Sequence, residues 1–211
     1  GYFARRPNRR GRQEGYVLAT WYTEIVVKRL FSGTTQLTTA LQPLVEAAEK
    51  TLALTPEQRL RTILRIDSGG GSVEDINWML DRGYLVHAKD YSGQRAERLA
   101  DSVKEWINDP CNTGRQIGWV TEKTSLYSHP VRRIAVRCPK QNGQWAVGVI
   151  VSALTPEQVL CLTDQPVECS QDPHAVLLAY VYFYDLRGGG VETEIKEDKQ
   201  GLGTSHRNKQ R

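Results

Sequence analysis

One segment, RTILRIDSGGGSVEDINWMLDRGYLVHAK at 61–89, constrains the fold more than any other part of the chain. Its first seven residues form a compact apolar run that ends in Asp67, which is typical of a buried strand. Ser72 is placed to cap a helix with apolar residues at helical spacing, and Gly83 is placed to end that helix. The apolar run after Gly83 predicts a second strand. This alternation of strand and helix predicts an α/β fold.

Similar sequence patterns predict the secondary-structure elements on either side of this segment. Strands at 16–22 and 25–31 are predicted to form a hairpin, because β-branched and aromatic residues dominate there. Residues 34–54 carry apolar side chains at helical spacing, and Thr55 caps a further helix. Another helix is predicted over 92–109, where an Asp-Pro pair stops it.

The character of the sequence changes between 112 and 170, where short β-rich runs surround an Asn-Gly hairpin turn. Asp172 then caps a predicted helix, although the stretch Val181–Tyr184 is also compatible with a strand. A final helix is predicted over 191–200. The sequence therefore favours a β-rich segment between two parts that contain helices.

The net charge of +4 is modest, but five arginines cluster within residues 5–12. Such clusters commonly meet nucleic-acid phosphates, and a solvated basic tail is an equally good explanation. The four cysteines match no zinc template and are interpreted as ordinary thiols of a reducing, cytoplasmic compartment. No apolar run approaches the ~20 residues of a membrane span, so no membrane partner is expected.

Five polar residues are the candidates for chemistry. Asp67 ends a predicted strand where α/β sheets usually carry their sites, although it can equally be a turn or cap residue. The following DSGGGS lacks the lysine of a phosphate loop. Tyr184 and Arg187 share one helical face, as do Glu192 and Lys199, which are nearly two turns apart. A carboxylate with these neighbours suits a metal and a phosphodiester; a solvated helix of alternating charge is the alternative.

The pattern Y-x2-R followed by E-x6-K resembles the signature of bacterial insertion-sequence transposases of the DDE type. Here it reads Tyr184, Arg187, Glu192 and Lys199. The segment around Asp67 is similar to the part of that family that carries the second catalytic aspartate. Asp67 and Glu192 are 192 − 67 = 125 residues apart, and a β-rich insertion lies between the corresponding residues in the family.

The resemblance implies an RNase H-like mixed sheet flanked by helices and interrupted by a β-rich insertion. The chain would then divide into an N-terminal part of the catalytic domain without its first strand, a β-rich insertion, and a C-terminal helical part, at 1–108, 109–171 and 172–211.

The resemblance also implies roles for the candidate residues. Asp67 and Glu192 are the second and third catalytic carboxylates, and they ligate Mg²⁺ (or Mn²⁺). Tyr184, Arg187 and Lys199 bind the DNA phosphates of the transposon end. The expected partners are double-stranded DNA, as transposon ends and target, and a second copy in a homodimer. A bacterial cytoplasmic, nucleoid-associated location follows.

Two features depart from the family pattern. Four residues separate Arg187 from Glu192 where the family has three, so Glu194 is a possible substitute. No aspartate precedes Asp67. The first carboxylate is therefore expected upstream of Gly1, which makes the chain a fragment that is inactive alone. The alternative is a non-catalytic DNA-binding remnant of a decayed element.

Overall fold

The structure is a computed structural model that describes residues 2–3, 6–66, 68–90 and 92–186, with the backbone alone at 2–3, 6–10 and 68. Two compact units divide the chain, and the boundary between them falls after Ala53. The second unit is Leu54–Asp185.

The first unit is built on a long hairpin and one helix. Its elements are β1 (Tyr2–Phe3), β2 (Arg6–Arg10), β3 (Arg12–Ala19), β4 (Glu24–Ser32) and α1 (Leu37–Leu52). Strands β3 and β4 pair antiparallel, so the predicted hairpin is confirmed, although β3 begins earlier than predicted and ends at Ala19, and residues 20–22 lie in the turn. The apolar side of α1 packs on it through Ala40, Leu44 and Ala48, together with Val27 of β4. The predicted helix over 34–54 is also confirmed.

The second unit contains the remaining elements of the described chain. They are α2 (Pro56–Arg59), β5 (Ile63–Ile66), a 3₁₀ helix (Ser68–Gly70), α3 (Val73–Asp81), β6 (Leu85–Lys89), α4 (Gly93–Ala100), β7 (Ile107–Asn108), β8 (Gln116–Trp119), β9 (Arg132–Pro139), β10 (Trp145–Ser152), α5 (Pro156–Leu162), a 3₁₀ helix (Val167–Gln171) and α6 (Pro173–Asp185).

One six-stranded mixed sheet organises this unit, in the order β5-β6-β10-β9-β8-β7. Strands β5 and β6 are parallel, and every other neighbouring pair in the sheet is antiparallel. The predicted α/β class with a mixed sheet flanked by helices is confirmed, and the architecture is compatible with an RNase H-like fold. The strands of the predicted β-rich segment, β8 to β10, extend the sheet that β5 and β6 begin.

Local signals explain why the elements begin and end where they do. The Ser72 hydroxyl accepts from the Asp75 amide at 3.1 Å and caps α3, as predicted. Gly83 takes a φ of +91° just after that helix, a conformation that glycine adopts without strain. Thr55 and Thr155 begin α2 and α5 with the same Thr-Pro-Glu-Gln capping box.

The core of the second unit lies where α5 and α6 cover one face of the sheet. Ile117, Ile134 and Ile150 of the strands meet Leu177 and Tyr180 of α6 there. Tyr180 is fully buried, and its hydroxyl donates to the Leu154 carbonyl oxygen at 2.6 Å. Helix α6 continues to Asp185, so the alternative of a strand at Val181–Tyr184 is excluded.

The predicted helix over 92–109 is wrong in its second half. Helix α4 ends at Ala100, and Ile107–Asn108 form β7 instead. The Ser102 hydroxyl donates to the Leu99 carbonyl oxygen at 2.7 Å and accepts from the Thr121 amide at 3.1 Å. The chain therefore leaves the helix to reach β8, a non-local pairing that helical periodicity does not report. Within the described residues, none of the helices is long and apolar enough to cross a membrane.

Replacing Tyr180 with phenylalanine tests the core under α6. We expect the free energy of unfolding to fall by about 1–3 kcal/mol, because the buried Leu154 carbonyl loses its donor. Burial raises the pKa of Tyr180 above its ordinary value. The neutral phenol therefore stabilises the wild type below a pH of about 10, and this stabilisation is lost as the pH rises further. Urea unfolding at neutral and alkaline pH measures both effects.

The matched control is Tyr182→Phe, because Tyr182 lies on the same helix with 46% of its surface exposed. We expect this change to alter the free energy of unfolding at neutral pH by less than about 0.5 kcal/mol. Equal losses in the two variants would contradict the placement of α6.

Candidate nucleic-acid interface and metal site

The candidate site lies at the edge of the sheet where the two parallel strands end. Ile63 pairs with Leu85 and Ile66 with Ala88, so β5 and β6 finish side by side. In α/β proteins, ligands bind beyond the carboxyl ends of such strands. Asp67 follows β5 in the sequence and lies outside the described residues.

Of the five predicted site residues, only Tyr184 belongs to the described part of the chain. Asp67, Arg187, Glu192 and Lys199 lie outside it, as does the helix predicted over 191–200. Their roles therefore stay predictions. The described residues that flank Asp67 and precede Arg187 give the geometry of the site.

The end of α6 is tied directly to the end of β5. Arg65 Nη1 donates to the Phe183 carbonyl oxygen at 3.3 Å, although 118 residues separate them in sequence. The Arg65 guanidinium carbon also lies 4.7 Å from the centroid of the Phe183 ring, within the range of a cation–π interaction. Arg65 is two residues before Asp67, and Phe183 is followed at once by Tyr184. The residue two positions before Asp67 and the residue directly before Tyr184 are thus neighbours in space.

Tyr184 is half-buried and packs against the core rather than extending freely into solvent. Its ring centroid is 6.0 Å from that of His87, which lies on β6 and is fully buried. A hydrogen bond of 3.0 Å joins His87 Nδ1 to Ser152 Oγ. The ring of Phe183 also contacts His87, at 5.1 Å. His87 is therefore a packed core residue that supports the last turn of α6.

A second arginine holds the end of α6 from the other side. Arg115 Nη2 donates to Asp185 Oδ2 at 2.5 Å, and Arg115 Nε donates to Asp109 Oδ2 at 2.5 Å. The Asp109 side chain is almost fully buried. Asp185 is therefore engaged in a structural ion pair, and this pair fixes the end of the helix immediately before the predicted phosphate ligands.

The carboxylate at the end of β6 was not foreseen from the sequence. Asp90 is buried and receives two hydrogen bonds from Arg95, at 2.7 and 2.5 Å, and one from the Tyr127 hydroxyl at 3.1 Å. The Ser92 amide donates to it as well, at 2.8 Å. Burial, followed by the negative charge of Asp90, raises the pKa of Tyr127. A buried carboxylate paired in this way organises the loop beyond the strand.

Lys89 contributes a positive charge at the same edge. Its aliphatic stem passes over Gly148 of β10 so closely that an added Cβ at Gly148 would lie 2.2 Å from Lys89 Cε. Because Gly148 has no side chain, the Lys89 side chain has room to cross β10 at this position. Arg65 and Lys89 are thus two cations at this end of the sheet, whereas Arg115 is paired with Asp109 and Asp185.

Two tryptophans of the predicted β-rich segment differ in their surroundings. Trp119 Nε1 donates to the Pro173 carbonyl oxygen at 3.3 Å, and its ring meets Tyr180 edge-on at 5.8 Å. Trp119 is therefore part of the packing under α6. Trp145 is 39% exposed, and its ring lies 4.5 Å from the guanidinium carbon of Arg137.

The potential metal-binding residues of the described part do not form a metal site by themselves. No group of three or more His, Cys, Asp or Glu there is arranged to hold a metal ion. The predicted ligands Asp67 and Glu192 lie outside that part, so the fit of Mg²⁺ depends on them.

Comparisons with known proteins add no assignment, since no family model matches the sequence and no curated protein matches it significantly. The resemblance to transposases therefore rests on the motif residues alone.

Replacing Arg65 with methionine tests the link between β5 and α6. The variant keeps most of the aliphatic stem but loses the hydrogen bond and the cation–π contact, so we expect a loss of about 1–2 kcal/mol in stability. We also expect faster amide hydrogen exchange in the last turn of α6. Arg61→Gln is the control, because Arg61 is exposed just before β5. Unchanged exchange in Arg65→Met would contradict the anchoring role.

Proposed function

We propose that the chain is part of the catalytic domain of a DDE-type insertion-sequence transposase. In this proposal, Asp67 and Glu192 hold Mg²⁺ (or Mn²⁺), and Tyr184, Arg187 and Lys199 bind phosphates of the transposon end. The substrate is double-stranded DNA, as transposon end and as target. The complete protein works as a homodimer in the bacterial cytoplasm, associated with the nucleoid.

The observation that carries the proposal is the contact between Arg65 and Phe183. Within a mixed α/β unit, it joins the strand directly before Asp67 to the helical turn directly before Arg187. Two motifs far apart in sequence need such a contact if they are to serve one site.

The chemistry follows from the residue types. Carboxylate oxygens are the ligands that Mg²⁺ prefers, and the metal supplies Lewis-acid activation of the attacking and leaving oxygens in an in-line displacement. Arg187 offers a planar fork to a phosphate, and Lys199 offers a point charge. The ring of Tyr184 packs near that of His87, which helps to hold the end of α6 in place.

Two cations at the edge of the sheet support a phosphodiester substrate in this proposal. Arg65 and Lys89 lie at or near the ends of β5 and β6. Cations at this edge would attract the DNA backbone before specific contacts form.

Strand cleavage by the protein translated from the complete reading frame tests the proposal. The substrate is the end of the element recovered from the flanking DNA. We expect Asp67→Asn and Glu192→Gln each to lower Mg²⁺-dependent cleavage by roughly 10³-fold, equivalent to about 4 kcal/mol, while DNA binding persists.

Glu194→Gln is the matched control, since it removes a carboxylate two residues from Glu192 and should leave cleavage intact. Cleavage that is lost in Glu194→Gln and kept in Glu192→Gln would overturn the assignment of the third carboxylate. DNA binding without metal-dependent cleavage in the wild type would identify a non-catalytic remnant.

A further inference from the structure

A second cationic feature lies on the hairpin formed by β9 and β10. The guanidinium carbon of Arg137 is 4.0 Å from the ring centroid of Trp106 and 4.5 Å from that of Trp145. Cation–π interactions with two indole rings hold the guanidinium plane in a fixed orientation. Arg137 itself is half-buried.

Hydrogen bonds orient the guanidinium further and leave one end of it available. Arg137 Nε and Nη2 both donate to Gln116 Oε1, at 2.9 and 2.7 Å. Gln116 Nε2 in turn donates to Asn108 Oδ1 at 3.0 Å, which fixes the amide. Arg137 Nη1 makes no hydrogen bond to any other described residue. Its two hydrogens, with the second hydrogen of Nη2, form a fork that matches two oxygens of one phosphate.

This arginine lies near the end of the sheet where the parallel strands finish, on the opposite face from α6, because the preceding residue Val136 packs in the core under that helix. Lys89, the last residue of β6, pairs with Ile150 of β10, whereas Arg137 pairs with Val147, three residues further towards the hairpin turn. The hairpin therefore projects past the edge where β5 and β6 finish. A DNA strand that is bound at this edge and continues past β6 meets the hairpin.

We propose that Arg137 is a second DNA-backbone contact, which binds a phosphodiester at its Nη1–Nη2 end while Trp106, Trp145 and Gln116 hold it in place. The inference rests on the proposed function, because it extends the same DNA-binding surface to residues outside the motif.

The local charge favours a phosphate over a carboxylate of a protein partner. Lys104 and Lys140 are exposed and lie close in sequence to Trp106 and Trp145, respectively. The exposed acid nearest to Trp106 in the sequence is Glu105. The chain also carries a net charge of +4. A strand of repeated phosphates satisfies several such cations at once, which a single carboxylate does not.

The test measures binding of the full chain to a short fluorescein-labelled duplex by anisotropy over a series of salt concentrations. We expect Arg137→Gln to reduce the slope of log K against log[salt] by about 0.9, the loss of one phosphate contact. Arg137→Lys keeps the charge, so its slope should match the wild type, with weaker binding because the planar fork is gone.

Arg132→Gln is the matched control, because it removes an exposed arginine from the opposite end of β9. If Arg137→Gln does not fold, the wild type provides a second measurement. We expect bound DNA to protect Arg137 from modification by phenylglyoxal, and mass spectrometry detects that modification. A folded Arg137→Gln with the wild-type slope, or unprotected Arg137 in bound protein, would overturn this inference alone. A wild type that does not bind DNA at low salt would overturn the proposed function as well.

Discussion

The contact between Arg65 and Phe183 is the constraint on which the rest of the candidate site depends. It joins β5 to the last turn of α6, and the His87 ring on β6 supports the same turn through Phe183 and Tyr184. Helix α6 is also held by the buried hydrogen bond from the Tyr180 hydroxyl to the Leu154 carbonyl oxygen. Together, these contacts hold the last turn of α6 against β5 and β6.

The charges at this edge divide into two groups with different tasks. Asp90 and Asp185 each accept hydrogen bonds from an arginine, Arg95 and Arg115 respectively, so their carboxylates organise the scaffold. Desolvating a carboxylate is costly unless such a partner is present, which explains why the buried Asp90 is paired. The proposed metal ligands are a separate set, Asp67 and Glu192. In this account, the scaffold pairs fix the elements from which the metal ligands extend.

Local sequence signals predict much of the fold. The parts that they do not predict depend on contacts between residues far apart in the sequence. The hairpin of β3 and β4 and the cap of α3 at Ser72 follow from residue type and spacing, so the sequence predicts them. The end of α4 at Ala100 depends on a bond from Thr121 to Ser102, which periodicity does not report. The same applies to the site. Asp67 and Glu192 are predicted from a strand-end position and a motif resemblance, whereas Arg65 and Asp90 act through partners that only the folded chain identifies.

Paramagnetic broadening by Mn²⁺ tests most directly whether the two sequence segments serve one metal site. The measurement follows amide signals of the nitrogen-15-labelled chain during a Mn²⁺ titration, with Asp67→Asn as the comparison. The account predicts that the signals of Ser68–Gly70 and of Phe183–Asp185 broaden together, and that both effects weaken in Asp67→Asn. Broadening confined to one of these segments, or unchanged in Asp67→Asn, would contradict the central claim that they converge on one metal.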